Sequence, residues 1–298
     1  MWSPRTALRR RRWGVAEPPV AWDDHPGSDV TATSSPIETA QFGLSIGRLT
    51  VGHEVPGRGP AYDAAAEMLA AALGSMDDDV VVVRYPASAV GLGAVIAGSG
   101  RSVIPGGALT YWGANADDVV EAVSGSHDPG LEVVAASELP GPRDAVRAVV
   151  DAVIADSFTG YRNHYAANPL LDPAAALAGY QDWARRSLDA ARDTMVLRNA
   201  GTPVGVATCV ASKDGVAHLE VLLAGLVSAA QGRGWYALLL AGCAAEARRR
   251  SLSRLIISTQ AHNVRAQRAW ARLGLRPFAC METVHAVHPD LSLTPAPS

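Results

Sequence analysis

A mixed α/β fold, with helices packed on a mixed sheet, is the architecture this sequence predicts. Three observations predict it. Short runs rich in β-branched residues recur along the chain, and apolar residues at helical spacing fill the stretches between them. Hydrophobic residues also make up 48% of the 298 positions, enough to bury a sizeable core. No uninterrupted apolar stretch reaches the ~18 residues of a membrane span, so none is expected.

Residues 1–36 are rich in Pro, Ser, Thr and Asp without apolar periodicity and read as a disordered arm. Its basic run, Arg9 to Arg12, is followed by no apolar segment, so a secretory leader is not expected. Order is expected from Ile37. Residues 42–51 alternate loosely like a strand, and 61–73 set Ala65, Met68, Leu69 and Leu73 at helical spacing. The valine run at 80–84 suits a buried strand. A short helix over 87–98 and a strand over 108–112 close a first unit, and the polar stretch 125–130 reads as a linker.

The second unit opens with a strand at 131–135 and a helix at 142–156, which turns Val146, Val149, Val150 and Val153 inward. Residues 160–172 are irregular and aromatic. A helix follows over 173–192, with Asp172 as N-cap before Pro173. Strands are expected at 194–199, 203–211 and 216–227, a helix at 234–250, and a strand at 254–259. A helix over 263–273 ends at Gly274, a last strand covers 277–287, and 289–298 reads as a frayed tail. The ordered chain thus divides into halves at 37–130 and 131–288.

A net charge of −3 gives no general case for nucleic acid. Between Leu226 and Cys280, however, nine arginines stand against Glu246 alone, a lobe suited to a phosphorylated ligand or to a solvated helix surface. Cys209, Cys243 and Cys280 form no CxxC pattern. Free thiols in the cytoplasm, and no metal site, are expected.

The most informative segment runs from Leu226 to Tyr236. A strand enters a turn containing Gln231, Gly232, Arg233 and Gly234, and the turn opens an apolar helix at Trp235. The unpaired amides and positive dipole end of a helix start favour an anion. Glycines let a pyrophosphate approach those amides, and Arg233 adds charge.

This segment resembles the acyl-CoA-binding motif of the GNAT acetyltransferases, Q/R-x-x-G-x-G/A, with Gln231 and Gly234 matching and Tyr236 in place of the small last residue. Further on, Asn263, Ala266, Trp270 and Gly274 resemble the same family's second signature, N-x-x-A-x-x-x-Y-x-x-x-G-F. Gly160 to Pro169, Tyr180, Trp183, Ser187 and the stretch 42–49 are similar to the narrower dTDP-fucosamine acetyltransferase-like group. The resemblance implies a GNAT fold with a degenerate GNAT-like first half beside a complete catalytic half. It also implies an acyl-CoA donor, acetyl-CoA in the simplest case, and an amine acceptor. Gln231 to Tyr236 would then hold the pyrophosphate, Asn263 the pantetheine arm, and the backbone N–H groups of Leu226 and Val227 the thioester carbonyl. The plain alternative for Leu226 and Val227 is ordinary core strand.

Where this family carries a tyrosine as general acid, this sequence has Trp270, and an indole N–H yields no proton at useful pH. Tyr236 can point away along the helix and leave the amides open. For a general base the candidates are Glu220, otherwise a surface carboxylate, and His164, otherwise a structural hydrogen-bonder. Tyr161, Tyr165, Tyr180 and Trp183 suit either an acceptor pocket or a core. Three functions remain open at this point: acyl transfer from acyl-CoA to a small-molecule amine, transfer from an aminoacyl-tRNA, and CoA sensing without turnover.

Overall fold

The computed structural model describes residues 27, 29–125, 129–189, 193–212 and 216–293. The basic run at 9–12 lies outside them, as do 190–192 at the end of the expected 173–192 helix and 294–298 of the tail.

Among these residues the first half carries β1 (Val30–Ser34), α1 (Pro36–Phe42), β2 (Ile46–Val51), α2 (Pro60–Ser75), β3 (Val80–Pro86), α3 (Leu92–Ala97), β4 (Ser102–Asn115) and α4 (Ala116–Glu121). The second carries β5 (Leu131–Ala135), α5 (Arg143–Phe158), α6 (Pro173–Asp189), β6 (Asp193–Asn199), β7 (Thr202–Ser212), β8 (His218–Leu226), α7 (Trp235–Arg249), β9 (Arg254–Gln260), α8 (Val264–Arg272) and β10 (Arg276–Val287). Asp172 caps α6 as expected, its carboxylate accepting from Ala174 N at 2.8 Å.

Several expectations are corrected. The supposed arm ends in β1, whose β-branched residues pair antiparallel with β2 from Val30 opposite Val51 to Ser34 opposite Gly47. Phe42 closes a helix rather than opening a strand, because Pro36 starts α1 and Gly43 at φ 69° ends it. The helix expected over 87–98 is confined to α3, and α4 was not foreseen. Leu291 and Leu293 in the tail pack against a cluster around Ile46, Val80 and Val287.

All ten strands form one mixed sheet in the order β1-β2-β3-β10-β4-β9-β8-β7-β6-β5. The final strand, β10, lies between β3 and β4 of the first half, and β4 lies between β10 and β9 of the second. Each half therefore lends the other a strand, and the two halves share one sheet. β3 is buried along its whole length, as its valine run requires. α2 and α3 cover one face of the first half. Over the strands of the second half, α7 and, from the first half, α4 cover one face, and α5 and α6 the other.

The site is positioned by two strands that part. β8 and β9 pair in parallel only from His218 opposite Arg254 to Val221 opposite Ile257. Beyond that point β8 stays with β7 as far as Leu226, while β9 stays with β4 as far as Gln260. At the parting, Thr208 faces Leu223 but Cys209 faces Val221, so Leu222 is an extra residue in β8. Such a bulge bends its strand and ends regular pairing.

Candidate active site

One cavity of about 780 Å³ occupies the gap between β8 and β9 and runs on beneath α1, α6 and the 161–165 loop. Leu222 to Leu226 form one wall, and Ser258 to Gln260 the other.

At its outer end lies the glycine turn. Gly232 and Gly234 are exposed, sit at φ 79° and 80°, and have open space where a Cβ would stand. The left-handed φ makes glycine the natural residue at both positions. Gly234 is the N-cap of α7, so the first-turn amides of the helix face this end of the cavity. Arg233 is exposed, with its guanidinium 5.1 Å over the Trp235 ring. Gln231 braces the turn: its Nε2 donates to Leu226 O at 3.0 Å, and its Oε1 accepts from Arg265 at 2.9 Å. Asn263 caps α8, accepting from Ala266 N at 3.3 Å and donating to Thr259 Oγ1 at 3.0 Å. Both side-chain amides, expected on the ligand, are engaged in shaping the walls.

The strand amides are likewise refined. Val227 N donates to Val204 O at 2.9 Å, so it does not face the gap. Leu226 O, which takes the Gln231 bond, points the other way. A strand residue turns its N–H and C=O to the same side, so Leu226 and, two residues back, Ala224 direct their amides into the opening.

At the family's acid position, Trp270 is buried at 1% exposure, and its Nε1 donates to the Tyr236 hydroxyl at 3.3 Å. Tyr236 thus does not point away; its hydroxyl and Trp270 both belong to the cavity wall. Burial raises the Tyr236 pKa, partly offset by the Trp270 bond, so the hydroxyl keeps its proton at neutral pH. Glu220 is not a surface carboxylate: it is 1% exposed, opposite Ile256, at the root of the opening.

The inner chamber joins both halves. Glu38 accepts from Arg48 Nε at 2.5 Å and from the Tyr165 hydroxyl. Burial, the largest single influence, would raise the Glu38 pKa, but the Arg48 charge and the bonds from Arg48, Ser35 and Tyr165 together outweigh it and bring it down to about 2. Arg84 Nη2 lies 3.4 Å from His164 Nε2, and His164 Nδ1 lies 2.8 Å from His285 Nε2. Burial, then Arg84, His285 and Arg48, hold His164 well below the usual histidine range, too weak a base to capture a proton at neutral pH. His164 is 5% exposed and sits within this hydrogen-bonded cluster. Tyr180 accepts from Asn163 Nδ2 at 3.0 Å, and the Tyr161 hydroxyl lies 3.2 Å from Thr259 Oγ1. Glu38, Arg48 and Arg84 were invisible as site residues in the sequence, because only the shared sheet brings the first half to the cavity.

Among the described residues no group of three or more His, Cys, Asp or Glu is placed to hold a metal ion. Nor is any helix among them long and apolar enough to cross a membrane.

Parallel strands splayed over a glycine turn at a helix start define the class: an acyltransferase fold of the GNAT kind. Residues 157–275 match the profile of the acetyltransferase (GNAT) family. No curated protein matches the chain. Among solved structures, a Drosophila protein aligns at TM-score 0.53 and 13% identity, over 91% of this chain and 84% of its own. A tandem GNAT protein from the clavulanic acid biosynthesis pathway, solved without AcCoA, aligns at TM-score 0.50 and 16% identity, over 86% and 78%. A conserved protein of unknown function from Staphylococcus epidermidis gives 0.50 and 13%, over 85% and 89%. Likenesses at such identities speak for the fold alone.

Proposed function

We propose that this chain is an N-acyltransferase that moves an acyl group, most simply acetyl, from acyl-CoA to the amine of a small molecule. The acceptor is an amino sugar, as the dTDP-fucosamine acetyltransferase-like resemblance implies, or a natural-product intermediate. The observation that carries the reading is the continuity of one cavity, from an anion-binding helix start, through the gap between β8 and β9, into a buried polar chamber. The residues present fit the donor. Open space over Gly232 and Gly234 leaves the first-turn amides of α7 accessible to a pyrophosphate. The bulged edge of β8 offers amides to a pantetheine-like arm and to a carbonyl.

Acyl-CoA, when bound, supplies a thioester carbonyl and a thiol leaving group. The chain's own residues position and move protons. Amides of Ala224 and Leu226 polarise the carbonyl, and Glu220 takes the proton that the attacking amine must lose. Tyr236 O–H protonates the departing sulfur while the Trp270 N–H steadies the phenolate oxygen left behind. In this reading a hydroxyl supplied from α7 does the work that the family signature assigns to α8. The missing tyrosine is what favours an aminoacyl-tRNA donor, and a hydroxyl beside Trp270 removes that ground.

Calorimetric titration of nuclease-treated protein with acetyl-CoA tests the donor. Micromolar binding is expected. No binding, together with ribonuclease-sensitive transfer from charged tRNA, would overturn the reading in favour of the second donor.

A further inference from the structure

We infer that the acceptor is an elongated amine ending in a carboxylate, and that Arg84 binds the carboxylate; this deepens the acyl-transfer reading and rests on it. Arg84 stands on β3 at 5% exposure and lines the inner chamber. A guanidinium has five N–H donors to place. Among the described residues the one hydrogen bond found for Arg84 is the long approach to His164, and its Nε has no partner. No carboxylate among them forms a salt bridge with it. Glu38, the acidic residue of this part of the chamber, is taken by Arg48 and Tyr165. His164 and His285 behind Arg84 are held neutral and bring no counter-charge.

Among the described residues, then, no carboxylate compensates the Arg84 charge at this buried end of the cavity. A buried charge without its partner is among the costliest arrangements a fold can keep. Burial, then the Arg48 charge, pulls the Arg84 pKa down against smaller opposing pulls from Tyr111, Tyr165 and Glu38. A planar fork suits a carboxylate, whose single negative charge balances the guanidinium. A phosphate, with nearly two charges, leaves an excess beside Glu38.

Two further orphans line the same cavity. Trp183 Nε1 on α6 is a donor without a partner, and Gln260 Oε1 on β9 an acceptor without one, at 6% and 3% exposure. Gln260 stands at the end of β9 beside the opening, where an acceptor amine has an oxygen to donate to. Arg84 lies three strands away, across β10 and β4, about 14 Å along the sheet by ordinary strand spacing. A molecule satisfying both ends is therefore longer than a simple α-amino acid, with amine and carboxylate at opposite ends.

The test is calorimetry on the full chain with ω-amino acids of six and eight carbons, the alkylamines of equal length, and aminohexyl phosphate. Wild-type protein should bind the amino acids at least about tenfold more tightly than the matched alkylamines. Arg84→Gln should erase that difference while leaving acetyl-CoA affinity unchanged. Without ligand, Arg84→Met should melt above wild type, since it removes an unpaired buried charge. Equal binding of acids and alkylamines, a preference surviving in Arg84→Gln, tighter binding of the phosphate, or a lower melting point for Arg84→Met would each overturn the inference. Arg84-dependent binding of the amino acids without any acetyl-CoA binding would sink the donor reading and leave the carboxylate anchor supported.

Discussion

A hydroxyl displaced by one helix changes the role of every residue around it. Tyr236→Phe removes the proton source and keeps the ring, so transfer should slow by about 100-fold while acetyl-CoA affinity holds. Single-turnover rates beside calorimetry separate the two. Trp270→Phe should cost less, because the hydroxyl remains. Both departures from the family pattern were legible in the sequence, Trp270 as a missing acid and Tyr236 as an intruding side chain. Their hydrogen bond was not, since nothing in sequence spacing places α7 against α8. Glu38 gives a second residue-scale outcome. Its folded pKa of about 2 lies below the ordinary value of 4.5, so the stability it contributes is present above pH 4.5 and is lost as pH falls toward 2. Integrated over that window the contribution is about 3 kcal/mol. Urea unfolding of wild type and Glu38→Gln between pH 7 and pH 2 should show the gap between them narrowing across that range.

At the scale of elements, α7 does two jobs, and each makes a forecast. Its start must stay open: Gly234→Asn and Gly234→Asp both tolerate a left-handed φ, yet only the aspartate sets a negative charge on the anion site. Acetyl-CoA should bind the Asp variant at least about tenfold more weakly than the Asn variant, read by titration. Its middle must stay slim. A Cβ on Gly242 would lie 2.7 Å from Val133 Cβ on β5, an atom fixed to the backbone. Alanine favours a helix over glycine by about 1 kcal/mol, and overpacking costs about 1–3. Because Val133 cannot swing away, overpacking wins, and Gly242→Ala should lower stability in denaturant melts. Most elements were legible from period and caps. β1 was missed because the sequence around it is polar and Pro-rich, although its own Val-Thr-Ala-Thr-Ser is β-branched. α4 was missed because six residues are too few for a helical period to emerge.

For the whole molecule, the decisive feature is the exchange of β4 and β10. The pairing β3-β10-β4-β9 joins residues far apart in sequence, and local pattern carries no trace of it. Halves divided at 130/131 along the chain are thus woven together in the sheet. A fragment of residues 131–298 lacks β4, leaving edges of β9 and β10 unpaired. It should show no cooperative thermal transition by circular dichroism, whereas co-expression with residues 1–130 should restore one. An independently folding fragment would contradict a shared sheet.

The exchange also dictates a timetable. During synthesis β3 and β4 are made well before β10, which must enter between them. Until it does, the first half holds an unfilled slot whose two bare strand edges can recruit other chains. Filling it closes a contact spanning most of the polypeptide, a slow event for any folding chain. Yield in the cell should therefore depend on how long the nascent chain waits for its last strand, and slowing translation should favour aggregation rather than relieve it.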